Sequence, residues 1–279
     1  MRATVLLSAA LMLAGALAPG GSAAADAVPK YTAAQFFDTT SFRVAEPGGL
    51  AFSPDGRSVL ISSDASGVFN AYALPIAGGA PVPLTTSTTD ALFAASYLPD
   101  GRVLVQGDQG GNELDHVYLR EADGSLRDLT PGENLKAGFA GLSGDGKTLW
   151  ITSNARNPEA FDVLAYDTTT FEHRVLFQNP GGFSPVEVSR DGAWLALQKA
   201  NTSADSDVYL VDLRGEGEPA LITPGDAPVS TSVYGFTPDS KTLVFATDAH
   251  GEFNQAWTHD LATDAQAPLI EADWDVMYV

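Results

Sequence analysis

Apolar and polar positions alternate along this chain in short runs, and the runs come back in a fixed order. A turn segment, Phe52-Ser53-Pro54-Asp55-Gly56, recurs as Tyr97-Leu98-Pro99-Asp100-Gly101, Leu142-Ser143-Gly144-Asp145-Gly146, Val188-Ser189-Arg190-Asp191-Gly192 and Phe236-Thr237-Pro238-Asp239-Ser240. Measured at the last residue of each copy, the intervals are 45, 45, 46 and 48 residues. Pro or another residue opens a type I turn, Asp tolerates its second position, and Gly takes the left-handed position that returns the chain. About three residues after each turn comes an apolar run: Val59-Leu60-Ile61, Val103-Leu104-Val105, Leu149-Trp150-Ile151, Leu195-Ala196-Leu197 and Leu243-Val244-Phe245. An Asp/Asn/Gly-rich loop follows. Then an aromatic stands after a small or β-branched residue, as in Ala71-Tyr72, Val117-Tyr118, Ala165-Tyr166, Val208-Tyr209 and Ala256-Trp257. A short fourth run closes each unit, for example Leu221-Ile222-Thr223.

Four strands per unit and a period near 45 residues are the signature of propeller blades. The expected fold is all-β, a β-propeller of four-stranded antiparallel blades. Blades are expected at residues 49–86, 91–131, 137–178, 183–224 and 230–271, with the first strand of a sixth at 275–279. The innermost strand of each should precede its turn: Leu50 to Phe52, Phe93 to Tyr97, Phe139 to Leu142, Val186 to Val188 and Val233 to Phe236. Small residues such as Ala94, Ala95, Gly138 and Gly235 suit the crowding near an axis. The stretch Asp273-Trp274-Asp275-Val276-Met277-Tyr278-Val279 reads as an inner strand cut before its turn, so a truncated propeller is expected over a complete five-bladed ring. Trp274-Asp275 lacks a Gly-His partner at blade spacing and does not mark a WD40 repeat.

Residues 26–48 form a lead-in segment, a short helix or an edge strand around Phe36-Phe37. Ahead of it, Met1-Arg2 and the apolar run Ala3 to Ala18 read as a secretory signal peptide over residues 1–25, with cleavage after Ala25 or Ala27. A secreted or periplasmic location follows. The run is too short for a convincing membrane span. The chain contains no cysteine, which removes disulfides and thiol chemistry from consideration.

Charge narrows the partners. With 35 acidic and 15 basic residues the net charge is −20, unfavourable to nucleic acid or to an anionic membrane after signal cleavage. Candidate chemistry is sparse. Gly141-Leu142-Ser143-Gly144 imitates a Gly-x-Ser-x-Gly nucleophile elbow, but Asp145 takes the fifth position and the segment is a copy of the blade turn. His116, His173, His250 and His259 fall in different units without metal-ligand spacing and are expected at the surface. Asp205-Ser206-Asp207 lacks the remainder of a calcium loop. No catalytic residue, metal ligand or cofactor is expected in this chain.

The loops between second and third strands are more specific. Ser63-Asp64-Ala65-Ser66-Gly67, Gly107-Asp108-Gln109-Gly110-Gly111-Asn112-Glu113 and Asn154-Ala155-Arg156-Asn157-Pro158-Glu159 resemble blades of the prolyl oligopeptidase (S9) serine peptidases. The bacterial dipeptidyl-aminopeptidase and acylaminoacyl-peptidase-like members are the nearest in character. The resemblance runs from about Phe36 to Val279; the Ser-Pro-Asp-Gly turn alone is shared with TolB-type propellers. It implies a propeller that restricts peptide access to a C-terminal α/β-hydrolase domain carrying Ser, Asp and His. That domain has no counterpart in this sequence, so the chain is expected to be inactive by itself. The Glu-Glu pair with which dipeptidyl peptidases grip a free amino terminus is also missing. Strand alternation puts the loops on the face opposite the Asp-Gly turns, the face from which an appended domain departs. Asp108, Asn112, Glu113, Arg156, Asn157 and Glu159 are therefore the expected contacts to a hydrolase domain or a peptide. A free-standing TolB-like protein-binding propeller is the alternative, and a metal-dependent lactonase-type propeller a third.

Overall fold

The computed structural model describes residues 30–215, 217–223 and 228–279; the signal-peptide segment lies outside them. Two units divide at Thr39. In the first, a short helix α1 (Ala33–Phe37) carries a reciprocal cap: Thr32 Oγ1 accepts from the Gln35 N–H at 3.2 Å and Gln35 Oε1 accepts from the Thr32 N–H at 3.1 Å.

The second unit is a β-propeller of five four-stranded antiparallel sheets. Sheet one holds β1 (Phe42–Val44), β2 (Ser58–Ser63), β3 (Asn70–Pro75) and β4 (Val82–Pro83). Sheet two holds β5 (Phe93–Tyr97), β6 (Val103–Gly107), β7 (His116–Arg120) and β8 (Leu126–Asp128). Sheet three is β9 (Ala137–Leu142), β10 (Thr148–Asn157), β11 (Ala160–Asp167) and β12 (His173–Phe177). Sheet four is β13 (Ser184–Val188), β14 (Trp194–Thr202), β15 (Asp205–Asp212) and β16 (Ala220–Leu221). Sheet five is β17 (Thr231–Phe236), β18 (Thr242–Thr247), β19 (Gln255–Asp260) and β20 (Gln266–Ile270). Each apolar run predicted after a turn lies in a second strand, and each small-aromatic pair lies in a third.

The turn repeat has a physical cause beyond the left-handed glycine. Ser53 Oγ donates to Asp55 Oδ1 at 2.7 Å, while Asp55 Oδ1 accepts from the Arg57 N–H at 3.0 Å and Ser53 Oγ from the Ser58 N–H at 3.0 Å. The same net recurs at Ser143–Asp145, Ser189–Asp191 and Thr237–Asp239. It fastens first strand to second with side-chain acceptors where the ladder runs out of backbone partners. These bonds hold the carboxyls of Asp55, Asp145 and Asp239 below the usual aspartate range.

Cores form between sheets. One cluster joins sheets two and three through Leu104, Leu119, Leu149 and Ile151; another joins sheets three and four through Trp150, Val163, Leu195 and Leu197. Polar ties cross the first of these interfaces. The Tyr166 hydroxyl donates to Leu129 O at 3.1 Å, and the Phe139 N–H donates to Gln106 Oε1 at 3.0 Å.

Sheet one departs from the expected layout. Its inner strand begins at Phe42, seven residues before the expected blade start at 49, so part of the lead-in segment is blade. Glu46 to Leu50 then leave the ladder, and Phe52 rejoins it in a single bridge to Val59. The excursion crosses to its neighbours: the Leu50 N–H donates to Ser96 Oγ at 2.8 Å, the Tyr97 N–H to Leu50 O at 2.9 Å, and the Leu142 N–H to Gly48 O at 3.2 Å. Gly49 has to be glycine here, because a Cβ would stand 2.6 Å from Ala95 O.

Packing runs from each sheet to the next, and among the described residues no comparable contact joins sheet five to sheet one. Phe42, Val44 and Phe52 on sheet one are correspondingly exposed, at 60%, 57% and 62%. Residues 273–279 carry no ladder pairing. Their hydrogen bonds go to sheet five. The Val276 N–H donates to Asn254 O at 2.8 Å, the Asn254 N–H to Asp275 Oδ1 at 2.8 Å, and the Tyr234 hydroxyl to Val276 O.

Candidate functional site

Because strands alternate in direction, the Asp-Gly turns share one face of the propeller, and the second-to-third-strand loops share the other with the connections between sheets. The loop face carries all six residues singled out above.

In sheet two the loop from Asp108 to Asp115 is folded on itself. Asp108 Oδ2 accepts from the Glu113 N–H at 2.8 Å, and Asn112 Oδ1 accepts from the Leu114 N–H at 3.0 Å. Asp90, in the connection from sheet one, accepts the Gly110 N–H at 2.8 Å. Asp108 and Asn112 thus shape the loop. Glu113 is held in the left-handed conformation, with φ 61°, and its side chain is exposed. Gln109 donates to the Tyr118 hydroxyl at 3.2 Å beside a cleft of about 370 Å³, which Asp108 also lines. Burial pushes the Tyr118 phenol up, so it stays neutral.

In sheet three the loop is shorter than its sequence suggested, because β10 and β11 extend to the Asn157–Ala160 pair after a register shift between Ser153 and Asn157. Arg156 grips the buried Asp162 through two bonds of 2.7 Å and donates a third, of 2.7 Å, to Asn179 O. The Asp162 carboxylate raises the Arg156 guanidinium above its ordinary value. Asp162 Oδ1 also accepts the Asn179 N–H at 2.8 Å, and Asn179 Nδ2 reaches Phe183 O at 2.8 Å. Arg156 therefore ties its loop to the connection into sheet four. Asn157 Oδ1 accepts the Glu159 N–H at 3.1 Å, which leaves the Glu159 side chain exposed. Among the described residues no hydrogen bond or ion pair joins the sheet-two set to the sheet-three set.

The histidines are a partial correction. His173 and His250 are exposed, but His116 and His259 are buried. Both lie in third strands at positions that face the neighbouring sheet. His116 Nδ1 meets Asp128 Oδ2 at 2.7 Å. His259 lies 3.3 Å from Gln266 Nε2 and 3.5 Å from Asp264, and burial lowers its pKa. Neither bonds to a serine or threonine hydroxyl among the described residues. No group of three or more described His, Asp or Glu side chains is arranged to hold a metal ion. No described helix is long and apolar enough to cross a membrane.

Sequence reasoning missed Glu187. Its side chain enters a cavity of about 290 Å³ at the axis, bordered by Gly48, Gly141, Trp150 and Phe236. A signal was available, since Glu187 is the one charged residue in β5, β9, β13 and β17.

No protein-family model matches the chain, and no curated protein matches it. Solved structures do. TolB from Acinetobacter baumannii is 19% identical with a TM-score of 0.52, over 78% of this chain and 52% of that one. An oligogalacturonate lyase from Vibrio parahaemolyticus is 16% identical with a TM-score of 0.62, over 82% of this chain and 66% of that one. Oligopeptidase B from Leishmania major is 12% identical with a TM-score of 0.57, over 78% of this chain and 33% of that one. This chain thus spans about half of the TolB structure and a third of the peptidase. At such identities the likeness establishes the propeller fold.

Proposed function

We propose that this chain is the propeller portion of an exported S9-type serine peptidase, set over an α/β-hydrolase domain and governing which peptides reach it. The observation that carries this reading is the loop face. Two structured loops, 108–115 and 154–159, stand on the side from which a domain following the last sheet departs. Their sequences resemble S9 blades, and the likeness to a propeller-bearing oligopeptidase supports the same reading. Glu113 and Glu159 are the side chains left free to meet a peptide or the second domain. Asp108, Asn112, Arg156 and Asn157 act by holding those two in place. Access control by a rigid propeller requires loops of this kind, pre-ordered by their own hydrogen bonds.

The reading is tested by steady-state hydrolysis of a chromogenic peptide series in the complete peptidase. Glu113→Ala and Glu159→Ala should alter kcat/KM severalfold, whereas Arg57→Ala on the turn face should not. Equal effects from all three, at unchanged stability, would contradict it. The likeness to TolB supports a second reading, in which the same loop face binds a protein partner directly.

A further inference from the structure

Among the described residues a cleft of about 580 Å³ lies on the turn face, away from the loops assigned above. Three turns frame it, from Ser143 to Asp145, Arg190 to Gly192 and Pro238 to Ser240, with Trp150, Ala165 and Leu176 between. The frame is tied across sheets. The Gly144 N–H donates to Arg190 O at 2.7 Å, and the Asp191 N–H donates to Ser240 Oγ at 3.2 Å. The cleft is therefore preorganised.

Two arginines, Arg174 of β12 and Arg190, line it. They are the only described arginines without an ion pair or a side-chain hydrogen bond. Every other described arginine meets a carboxylate or a backbone carbonyl. In a chain of net charge −20, carboxylate partners are abundant. Two unpaired guanidinium groups sharing one cleft therefore call for a cause.

The cleft's own aspartates do not supply the missing partners. Asp145 Oδ1 is occupied by Ser143 Oγ at 2.8 Å and the Lys147 N–H at 3.0 Å, with Lys147 Nζ 3.7 Å from Oδ2. Asp239 repeats this with Thr237 at 2.8 Å and Lys241 Nζ at 4.0 Å. Asp191 is held by Ser189 Oγ at 2.6 Å and the Ala193 N–H at 3.0 Å, close enough to Arg214 to act on its charge. Each aspartate is engaged within its own turn, and Asp145 and Asp239 each have a lysine as well. Arg174 and Arg190 form no ion pair with them, although the Arg190 charge also acts on Glu187 in the neighbouring cavity.

We propose that this cleft binds a small ligand bearing two or more oxyanion groups, carboxylate or phosphate, held between Arg174 and Arg190. A guanidinium fork suits either group, through paired charge-assisted hydrogen bonds. The volume falls within the range of small-molecule sites. The site is independent of the peptidase reading, since it uses the opposite face and other residues.

Calorimetric titration of the purified chain with citrate, and separately with pyrophosphate, tests it. One probe or both should bind saturably with one ligand per chain, and the stronger identifies the source of the oxyanion. Arg174→Gln or Arg190→Gln should weaken Kd at least tenfold, the double variant should abolish binding, and Lys199→Gln, an unpaired cation elsewhere, should leave it unchanged. Thermal melts of the variants confirm that they fold. No saturable binding of either probe at millimolar concentration would overturn the proposal. Binding that persists in the folded double variant, or that falls equally in Lys199→Gln, would overturn it too.

Discussion

Glu187 on the fourth inner strand accepts a hydrogen bond from the backbone N–H of Phe236 on the fifth, at 3.0 Å. The bond depends on Gly235. A register shift lies between Val233 and Gly235, Phe236 stays paired with Leu243, and Gly235 at φ 147° leaves room for the carboxylate. A Cβ there would lie 2.5 Å from Glu187 Oε2. Burial raises the Glu187 pKa above its ordinary value; the Phe236 N–H and the Arg190 charge pull it back only in part. The folded state therefore binds this proton more tightly than the unfolded chain. Stability contributed by the protonated form is full below the unfolded pKa and is lost as pH rises through the folded one. Glu187→Gln keeps an acceptor for Phe236 and removes the titration. Its melting temperature should exceed the parent's at neutral pH, and the difference should shrink as pH falls toward the unfolded glutamate value. A difference that grows on acidification would contradict the assignment.

The turn glycines should not be equivalent. Gly56 has φ 68° and open space where a Cβ would go, so Gly56→Ala meets backbone strain alone, costing about 1 kcal/mol. Gly146 has φ 70°, and its Cβ would strike Pro99 Cγ at 2.5 Å. Gly146→Ala adds overpacking between sheets two and three, typically another ~1–3 kcal/mol. Chemical denaturation of the two variants should rank them in that order.

Arg156 neutralises a carboxylate that is 4% exposed. Arg156→Ala strands Asp162 inside the protein and should lower the melting temperature by several degrees. Arg156→Lys should recover only part of the loss, since one ammonium cannot reproduce two parallel bonds to Asp162 and a third to Asn179 O. Full recovery in the lysine variant would show that charge alone matters.

The unpacked flanks of sheets one and five expose Phe42, Val44 and Phe52 on one side and Trp274, Met277 and Tyr278 on the other. Apolar surface of this kind drives association. Sedimentation velocity of the chain should show concentration-dependent self-association that weakens in a Phe42→Ser, Phe52→Ser double variant. A monomer at all concentrations would contradict the open arrangement.

The repeat made most of the fold legible. Turn, apolar run, loop and aromatic each mark one event of a blade, and β5, expected at Phe93 to Tyr97, has those bounds. Sheet one was harder because Pro47-Gly48-Gly49 reads as a loop between elements. Only their shared partner β2, with Val44 opposite Ile61 and Phe52 opposite Val59, shows that Phe42–Val44 and Phe52 belong to one interrupted strand. The candidate loops were legible in the sequence, but the partners of their side chains were not. Loop composition put Arg156 in the loop between second and third strands, yet nothing local reveals that Asp162 and Asn179, six and 23 residues on, would occupy it. Buried His116 escaped for the same reason, since its partner Asp128 comes from the adjoining strand.

The most direct test of the proposed function is to label proteins of the source cell with a fluorophosphonate probe for serine hydrolases, and to map peptides from the labelled polypeptides. The account predicts that fragments spanning 103–120 and 148–167 occur in a labelled polypeptide, with the modified serine outside the present sequence. Finding those fragments solely in an unlabelled polypeptide would contradict it and favour the protein-binding propeller.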